Sequence, residues 1–359
     1  MYSLEDLLKQ MVEKNASDLH LSAGTPPRIR IDGDLSNIGE EPLSPDDTQR
    51  LTYGVLDSEQ IARFEQNWEL DLSFGVSGLG RFRTNVFYQR GALGAVMRVI
   101  PYQISSFKEL GLPAEVCERL CRLPRGLVLV TGATGSGKST TLAAMIDFIN
   151  TNIGGHIITV EDPIEFVHRN KKALVNQREV GSDTKSFGNA LRHVLRQDPD
   201  VVLIGEMRDM ETIEAGLRIA ETGHLTFATL HTNDATQTMN RIIDVFPSGQ
   251  QTQIRTQLSF VLEAVFCQQL LEKRNRRGRI LASEILLATP AIRSLIRENK
   301  AHQLYSVMQT TAKIGMKTMN QSLFELYQHG AIRFEDALKA SSDPEDLKNV
   351  FQSKSTSKR

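Results

Sequence analysis

The sequence predicts a mixed α/β protein: a small α+β domain over residues 1–100, a linker over 101–112, an α/β core with a mainly parallel sheet over 113–289, and a helical region with a polar tail over 290–359. Three observations carry this. Over residues 1–100, short period-two segments are punctuated by prolines and glycines. Beyond Pro113, apolar strand-like runs alternate with longer helical patterns, which calls for a parallel sheet covered by helices. From Pro290 onward only helical periodicity is visible.

The elements follow in order. Leu4, Leu7, Leu8, Met11 and Val12 recur at helical spacing, Asn15 ends the helix, and Asp18-Leu19-His20-Leu21 switches to strict alternation. Pro26, Pro27, Gly33, Gly39, Pro42 and Pro45 then punctuate the chain around the period-two segment Arg28–Ile31, so short strands and turns are expected. Arg81–Phe87 and Ala95–Ile100 read as further strands joined through Gly91 and Gly94, and Pro101 opens the linker. Leu127–Val130, Ile157–Val160, Val201–Ile204 and the apolar stretch between His224 and His231 are buried strands of the second domain.

Composition narrows the function classes. A chain of 359 residues has room for two or three domains, and 40% apolar with 24% charged residues is an ordinary globular mix. Lys plus Arg number 42 against 43 Asp plus Glu, a net charge of -1, so no global field draws the chain to nucleic acid or an anionic membrane. Aromatic residues do not form clusters with basic ones, which speaks against a nucleic-acid translocase. Cys117, Cys121 and Cys267 are too few for a disulfide framework and one short of a four-cysteine zinc site. With no run of about 18 apolar residues, and acidic residues within Met1–Lys14 where a signal peptide needs a basic start, the cytoplasm is the expected location.

The chemistry is concentrated after the strand Leu127–Val130, where Gly132-Ala133-Thr134-Gly135-Ser136-Gly137-Lys138-Ser139 leads into the helical Thr140–Ile146. Strand, glycine-rich loop and helix are the context of a P-loop, in which backbone N–H groups and a helix N-terminus surround phosphate. Lys138 is placed to reach the β and γ phosphates of ATP, Ser139 to ligate Mg²⁺, and Thr140 supplies a further hydroxyl. Hydrolysis also needs carboxylates to orient water and help hold the metal. Two acidic stations stand just beyond strands: Glu161 and Glu165 after Ile157–Val160, and Glu206 after Val201–Ile204. At the second station Gly205 occupies the place where an Asp usually ligates the metal, leaving Glu206 to act directly or through water. His224 and His231 flank another apolar strand, and a histidine there can sense a γ-phosphate; His231 is the better placed, at the same edge as the acids.

Together these residues resemble the secretion and pilus ATPases of the type II secretion and type IV pilus systems. Four boxes stand in order: Gly132–Thr140, Ile158–Phe166, Asp198–Glu206 and Thr222–Asn233. Within that family the chain is similar to the retraction type rather than the extension type. It opens at Ser17–Leu21 without an extra domain before it, lacks the four-cysteine element, and carries Ala291–Glu298, which matches the retraction signature except for Ser294 in place of Asn. The resemblance implies a PAS-like N-terminal domain, a RecA-like ATPase domain, a ring of six subunits, and work on an inner-membrane pilus platform protein, with an accessory paralogue as a further partner. It implies Glu165 as the catalytic glutamate with Glu161 beside it, Glu206 as the Walker B glutamate, and Arg81, Arg83 and Arg98 as arginines that contact nucleotide. In the octet, Ile292, Leu295 and Ile296 form an apolar face, while Arg293 and Arg297 are expected on a solvent-facing one. The basic run Lys273, Arg274, Arg276, Arg277 and Arg279 reads as a solvated loop.

Overall fold

The computed structural model describes residues 2–31, 33–100 and 103–356; Pro101, read as the opening of the linker, and the end of the polar tail at 357–359 lie outside the described residues. The chain divides into two compact units, Met1–Gln103 with Glu165–Val167, and Ile104–Ile164 with His168–Arg359.

The first unit begins with helix α1 (Leu4–Glu13), whose Leu7, Leu8 and Met11 are buried, and Asn15 then turns the chain with φ 51°. Strands β1 (Asp18–Leu21), β2 (Arg28–Ile31) and β3 (Asp34–Asn37) follow, then helices α2 (Pro45–Tyr53) and α3 (Ser58–Asn67), then β4 (Glu69–Val76), β5 (Gly80–Gln89) and β6 (Ala92–Ile100). The strands form one antiparallel sheet in the order β3-β2-β1-β6-β5-β4. Alternation supplies the core: Leu19, Leu21, Ile29, Phe82 and Met97 meet the apolar stripe of α1.

Two readings are corrected here. The stretch around Pro45 is not strand and turn but helix, because Pro45 sits at the first helical position and Ser44 and Asp47 cap each other's N–H groups at 3.1 Å. Asp57 and Gln60 start α3 in the same way. Gly94 is not in the connection between strands but inside β6, where a Cβ would lie 2.9 Å from the Phe87 ring.

The second unit runs α4 (Ala114–Cys121), β7 (Gly126–Thr131), α5 (Lys138–Asn152), β8 (Gly155–Glu161), β9 (Ala173–Glu179), α6 (Phe187–Val194), β10 (Val201–Ile204), α7 (Met210–Glu221), β11 (Leu225–Leu230), α8 (Ala235–Asp244), α9 (Ser248–Val261), β12 (Leu262–Glu272) and β13 (Arg279–Leu287). The sheet order is β13-β12-β7-β11-β10-β8-β9, parallel throughout except for the edge strand β13. Every residue of β7, β10 and β11 is buried, as expected for central strands covered on both faces. Helices α10 (Pro290–Arg297), α11 (Leu304–Thr310), α12 (Met319–Gln328), α13 (Phe334–Ala340) and α14 (Pro344–Thr356) complete the unit. α10 packs on α9, while α12 to α14 gather Met319, Leu323, Ile332, Ala337 and Leu347 against Ala282 of β13.

Candidate nucleotide-binding site

Parallel pairing brings the carboxyl ends of β7, β8, β10 and β11 to one edge, where an open α/β sheet binds ligands. β7 ends at Thr131 and the chain turns through Gly132 (φ 140°), Gly135 (φ 78°) and Gly137 (φ 92°) into α5. A Cβ at Gly132 would stand 2.4 Å from the Gln268 carbonyl oxygen and 2.6 Å from Ser136 Oγ, so the cradle tolerates no side chain there. Lys138 opens α5, and its ammonium donates to the carbonyls of Gly132 at 2.9 Å and Ala133 at 3.0 Å. The first turn of α5 carries no acidic residue, so its N–H groups and partial positive charge are unopposed. Ala133, Thr134 and Gly135 are exposed, Ser139 and Thr140 are half-buried, and the buried Ser136 hydroxyl has no hydrogen-bond partner. A glycine-rich cradle, an ammonium inside it and a helix start behind it fit a polyphosphate.

Beside the loop, β10 releases Gly205 and Glu206. Ile204 pairs with Val160 of β8, and a Cβ at Gly205 would come within 3.1 Å of the Val160 carbonyl oxygen and 3.2 Å of Glu161 Cα. The backbone of β8 therefore crowds the position from which an Asp side chain would start. Glu206 Oε2 accepts from Arg208 Nη2 at 2.8 Å, and Glu206 Oε1 lies 3.3 Å from His231 Nε2. His231 follows Leu230, which pairs with Thr131, so carboxylate, imidazole and glycine-rich loop are neighbours across adjacent strands. Glu161, the last residue of β8, accepts from Thr159 Oγ1 at 2.6 Å and Gln177 Nε2 at 3.1 Å. Among the described residues no cluster of three or more His, Cys, Asp or Glu could hold a metal. The Ser139 hydroxyl, half-buried at the start of α5, and the Glu206 carboxylate are oxygen groups of the kind that suits a Mg²⁺ ion held mainly by phosphate and water.

Other expected residues lie elsewhere. His224 is at the opposite end of β11, its Nδ1 3.2 Å from both the Ile219 carbonyl and Thr222 Oγ1, so it does not join His231. Glu165 is exposed in the segment grouped with the first unit. In that unit Arg83 of β5 stands directly opposite Arg98 of β6, and Arg81 is half-buried opposite Ile100. Arg98 Nε donates to Asp18 Oδ1 at 2.8 Å. Burial alone would raise the Asp18 carboxyl, but the Ser17 hydroxyl and the Arg98 guanidinium outweigh it and hold the group below its ordinary range.

The solvent-facing assignment of Arg293 is corrected. Its side chain is 21% exposed and donates to the carbonyls of Ala288 (3.0 Å), Ser259 (2.8 Å) and Phe260 (2.9 Å) and to Glu263 Oε1 (2.8 Å). It clamps the C-terminus of α9, whose last carbonyls have no helical partner. Arg297 lies over the Phe260 ring, 5.9 Å from its centroid. The basic run forms the β12–β13 hairpin, and Arg279 reaches the Gly135 carbonyl at 3.4 Å.

Sequence reasoning passed over Arg208, Gln268 and Glu284. Gln268 donates to Thr141 Oγ1 at 2.7 Å beneath the loop. Glu284 had a signal, a lone acid in the apolar run of residues 280–287, whereas Arg208 and Gln268 depend on neighbours distant in sequence.

A glycine-rich loop between a central strand and a helix, with a glutamate and a histidine on the next strands, defines a P-loop nucleotide-binding α/β protein. The family model described as type II/IV secretion system protein matches residues 2–339. The chain belongs to that family. It is 50% identical over 344 residues to the type IV pilus retraction ATPase PilT of Pseudomonas aeruginosa strain PAO1, covering 96% of this chain and 99% of that one. It is 44% identical over 348 residues to the type IV pilus ATPase PilU of the same organism, covering 97% and 91%. A crystal structure of the pilus retraction motor PilT with bound ADP superposes with a TM-score of 0.91 at 54% identity, covering 97% of this chain and 100% of that one.

Proposed function

We propose that this chain is the ATP-hydrolysing motor that powers type IV pilus retraction, the disassembly step behind twitching motility. The observation that carries the chemistry is Lys138 held inside a glycine cradle next to the Glu206–His231 pair. The likeness to PilT over nearly the whole of both chains, and to a structure with bound ADP, supports the assignment to retraction.

In this reading Gly132–Thr140 bind the phosphates of ATP, and Ser139 holds Mg²⁺ with Glu206 helping directly or through water. Glu165 is the catalytic glutamate with Glu161 beside it, Arg81, Arg83 and Arg98 contact nucleotide, and His231 senses the γ-phosphate. The first unit is the PAS-like domain and the second the RecA-like ATPase domain. Six copies form a ring at the cytoplasmic face of the inner membrane, and the conformational cycle that hydrolysis drives is passed to a pilus platform protein. No described helix is long and apolar enough to cross a membrane, which agrees with attachment through that partner.

A second reading, an accessory pilus ATPase, is supported by the likeness to PilU. Deleting the gene and complementing with wild type or Lys138→Ala separates the two. A main retraction motor gives hyperpiliation and loss of twitching, restored by wild type and not by the lysine variant, whose purified form does not hydrolyse ATP. Twitching that survives deletion selects the accessory reading. Near-normal turnover in Lys138→Ala refutes the phosphate site.

A further inference from the structure

Away from the nucleotide edge, the second unit buries a carboxylate that the reading above does not use. Glu284 lies in β13 and is 2% exposed. It stands opposite Cys267 of β12, which stands opposite Thr131, the residue before the glycine-rich loop. Glu284 therefore occupies the row of the sheet at the base of that loop. Its Oε1 accepts from the Ala235 N–H at 2.8 Å and its Oε2 from the Met319 N–H at 3.4 Å. These residues are the first of α8 and of α12, and their N–H groups are donors that a helix cannot satisfy internally.

The two helices lead to different places. α8 follows the loop that carries His231, so Ala235 anchors that loop at its far end. α12 belongs to the C-terminal helices. Among the described residues no Lys or Arg pairs with Glu284; the titratable groups that face it are Asp234 at the cap of α8, the Cys267 thiol of β12 and, from α11, Tyr305, whose hydroxyl donates to Asp346.

We propose that Glu284 is a positioning residue for the nucleotide site: when ionised it holds the His231 loop against the base of the P-loop and ties it to α12, and when protonated it releases one of the two helices. The reason is the donor count. A carboxylate accepts both N–H groups, whereas a carboxylic acid turns one oxygen into a hydroxyl donor that faces a donor. Burial, reinforced by the Asp234 charge and opposed by the two backbone N–H groups and a hydrogen bond with the Cys267 thiol, pushes the carboxyl up to about 7, so both forms are present near neutral pH. The proposal rests on the reading of this chain as an ATPase that uses His231.

The test is steady-state hydrolysis at saturating ATP between pH 6 and pH 8.5, with the full chain as wild type, Glu284→Gln and Met319→Pro. Wild-type turnover should fall about tenfold from pH 8 to pH 6 through a limb near 7. Glu284→Gln, which resembles the protonated side chain, should lack that limb and stay within about threefold of the wild-type value at pH 6. Met319→Pro removes the α12 donor together with the buried Met319 side chain, at a first helical position preceded by Thr318 in an extended conformation (φ -81°, ψ 159°), where the proline backbone is tolerated. With only the Ala235 donor left, either protonation state can accept it, so the limb should disappear. A flat wild-type profile, or a limb that survives in Glu284→Gln or in Met319→Pro, overturns the proposal; should Glu284→Gln not fold, the proline variant decides. A wild-type chain that hydrolyses no ATP defeats the underlying reading instead.

Discussion

Replacing Arg293 with Gln tests whether this residue of the retraction-type octet is a motor surface or a structural clamp. Gln offers one amide where Arg offers five N–H donors in a fixed fork. The substitution gives up contacts to three carbonyls and to Glu263 and leaves the last turn of α9 without its cap. Hydrogen bonds to a charged group contribute about 1.5–3 kcal/mol each when well buried. At 21% exposure, with water able to replace some of them, the whole set amounts to about 2–4 kcal/mol. For a unit of this size each kcal/mol shifts the melting temperature by about 2–4 °C, so Arg293→Gln should melt roughly 4–16 °C below wild type. Arg297→Gln gives up a contact with the exposed Phe260 ring and a 3.4 Å bond to Ser259 Oγ, and its loss should stay within about 1 kcal/mol. Melting followed by circular dichroism with matched ATPase rates checks both. An Arg293→Gln variant that melts with wild type would refute the clamp. If the clamp is right, a twitching defect in that variant reports a loosened α9–α10 junction, and Arg297→Gln becomes the cleaner probe of force transmission.

Two further outcomes follow from the acidic stations. Glu165→Gln should leave ATP affinity largely intact while turnover falls by about 10²–10⁴, whereas Glu161→Gln disturbs a carboxylate held by Thr159 and Gln177 and should act mainly on stability; kcat measured beside nucleotide binding decides, and the opposite pattern exchanges the two roles. Gly205→Ala and Gly205→Asp should each destabilise by about 1–3 kcal/mol, because the new Cβ meets the backbone of β8 at 3.1–3.2 Å, and the Asp variant should gain no Mg²⁺ affinity; denaturant melts and a metal titration of turnover check this, and tighter Mg²⁺ dependence would show that β8 yields.

Much of this protein was determined by local sequence. The P-loop was legible because its chemistry is carried by contiguous residues: glycines that allow the turn, a lysine at the helix start and an apolar strand before them. The parallel strands were legible because a sheet covered on both faces demands unbroken apolar runs such as Leu127–Val130 and Val201–Ile204. The helix from Pro45 was misread although its signals were local, since prolines taken as punctuation also start helices when a capping box stands beside them.

What only the tertiary structure decided depends on strand order. Periodicity placed Arg293 on a polar helix face but could not show that the end of α9 would meet that face and bury its guanidinium. Gly205 looked like the loss of a metal ligand until β8 was found beside it, its backbone 3.1–3.2 Å from where a Cβ would stand. His231 was already the better placed of the two strand-flanking histidines, but only the parallel register brings its Nε2 to 3.3 Å from Glu206 Oε1. Glu284, passed over in the sequence, gained its role only when the folding of β13 onto β12 brought two helix starts, from residues 235 and 319, to its two oxygens. In each case the deciding partner is tens of residues away along the chain, and a pattern that repeats every two or four residues carries no information about it.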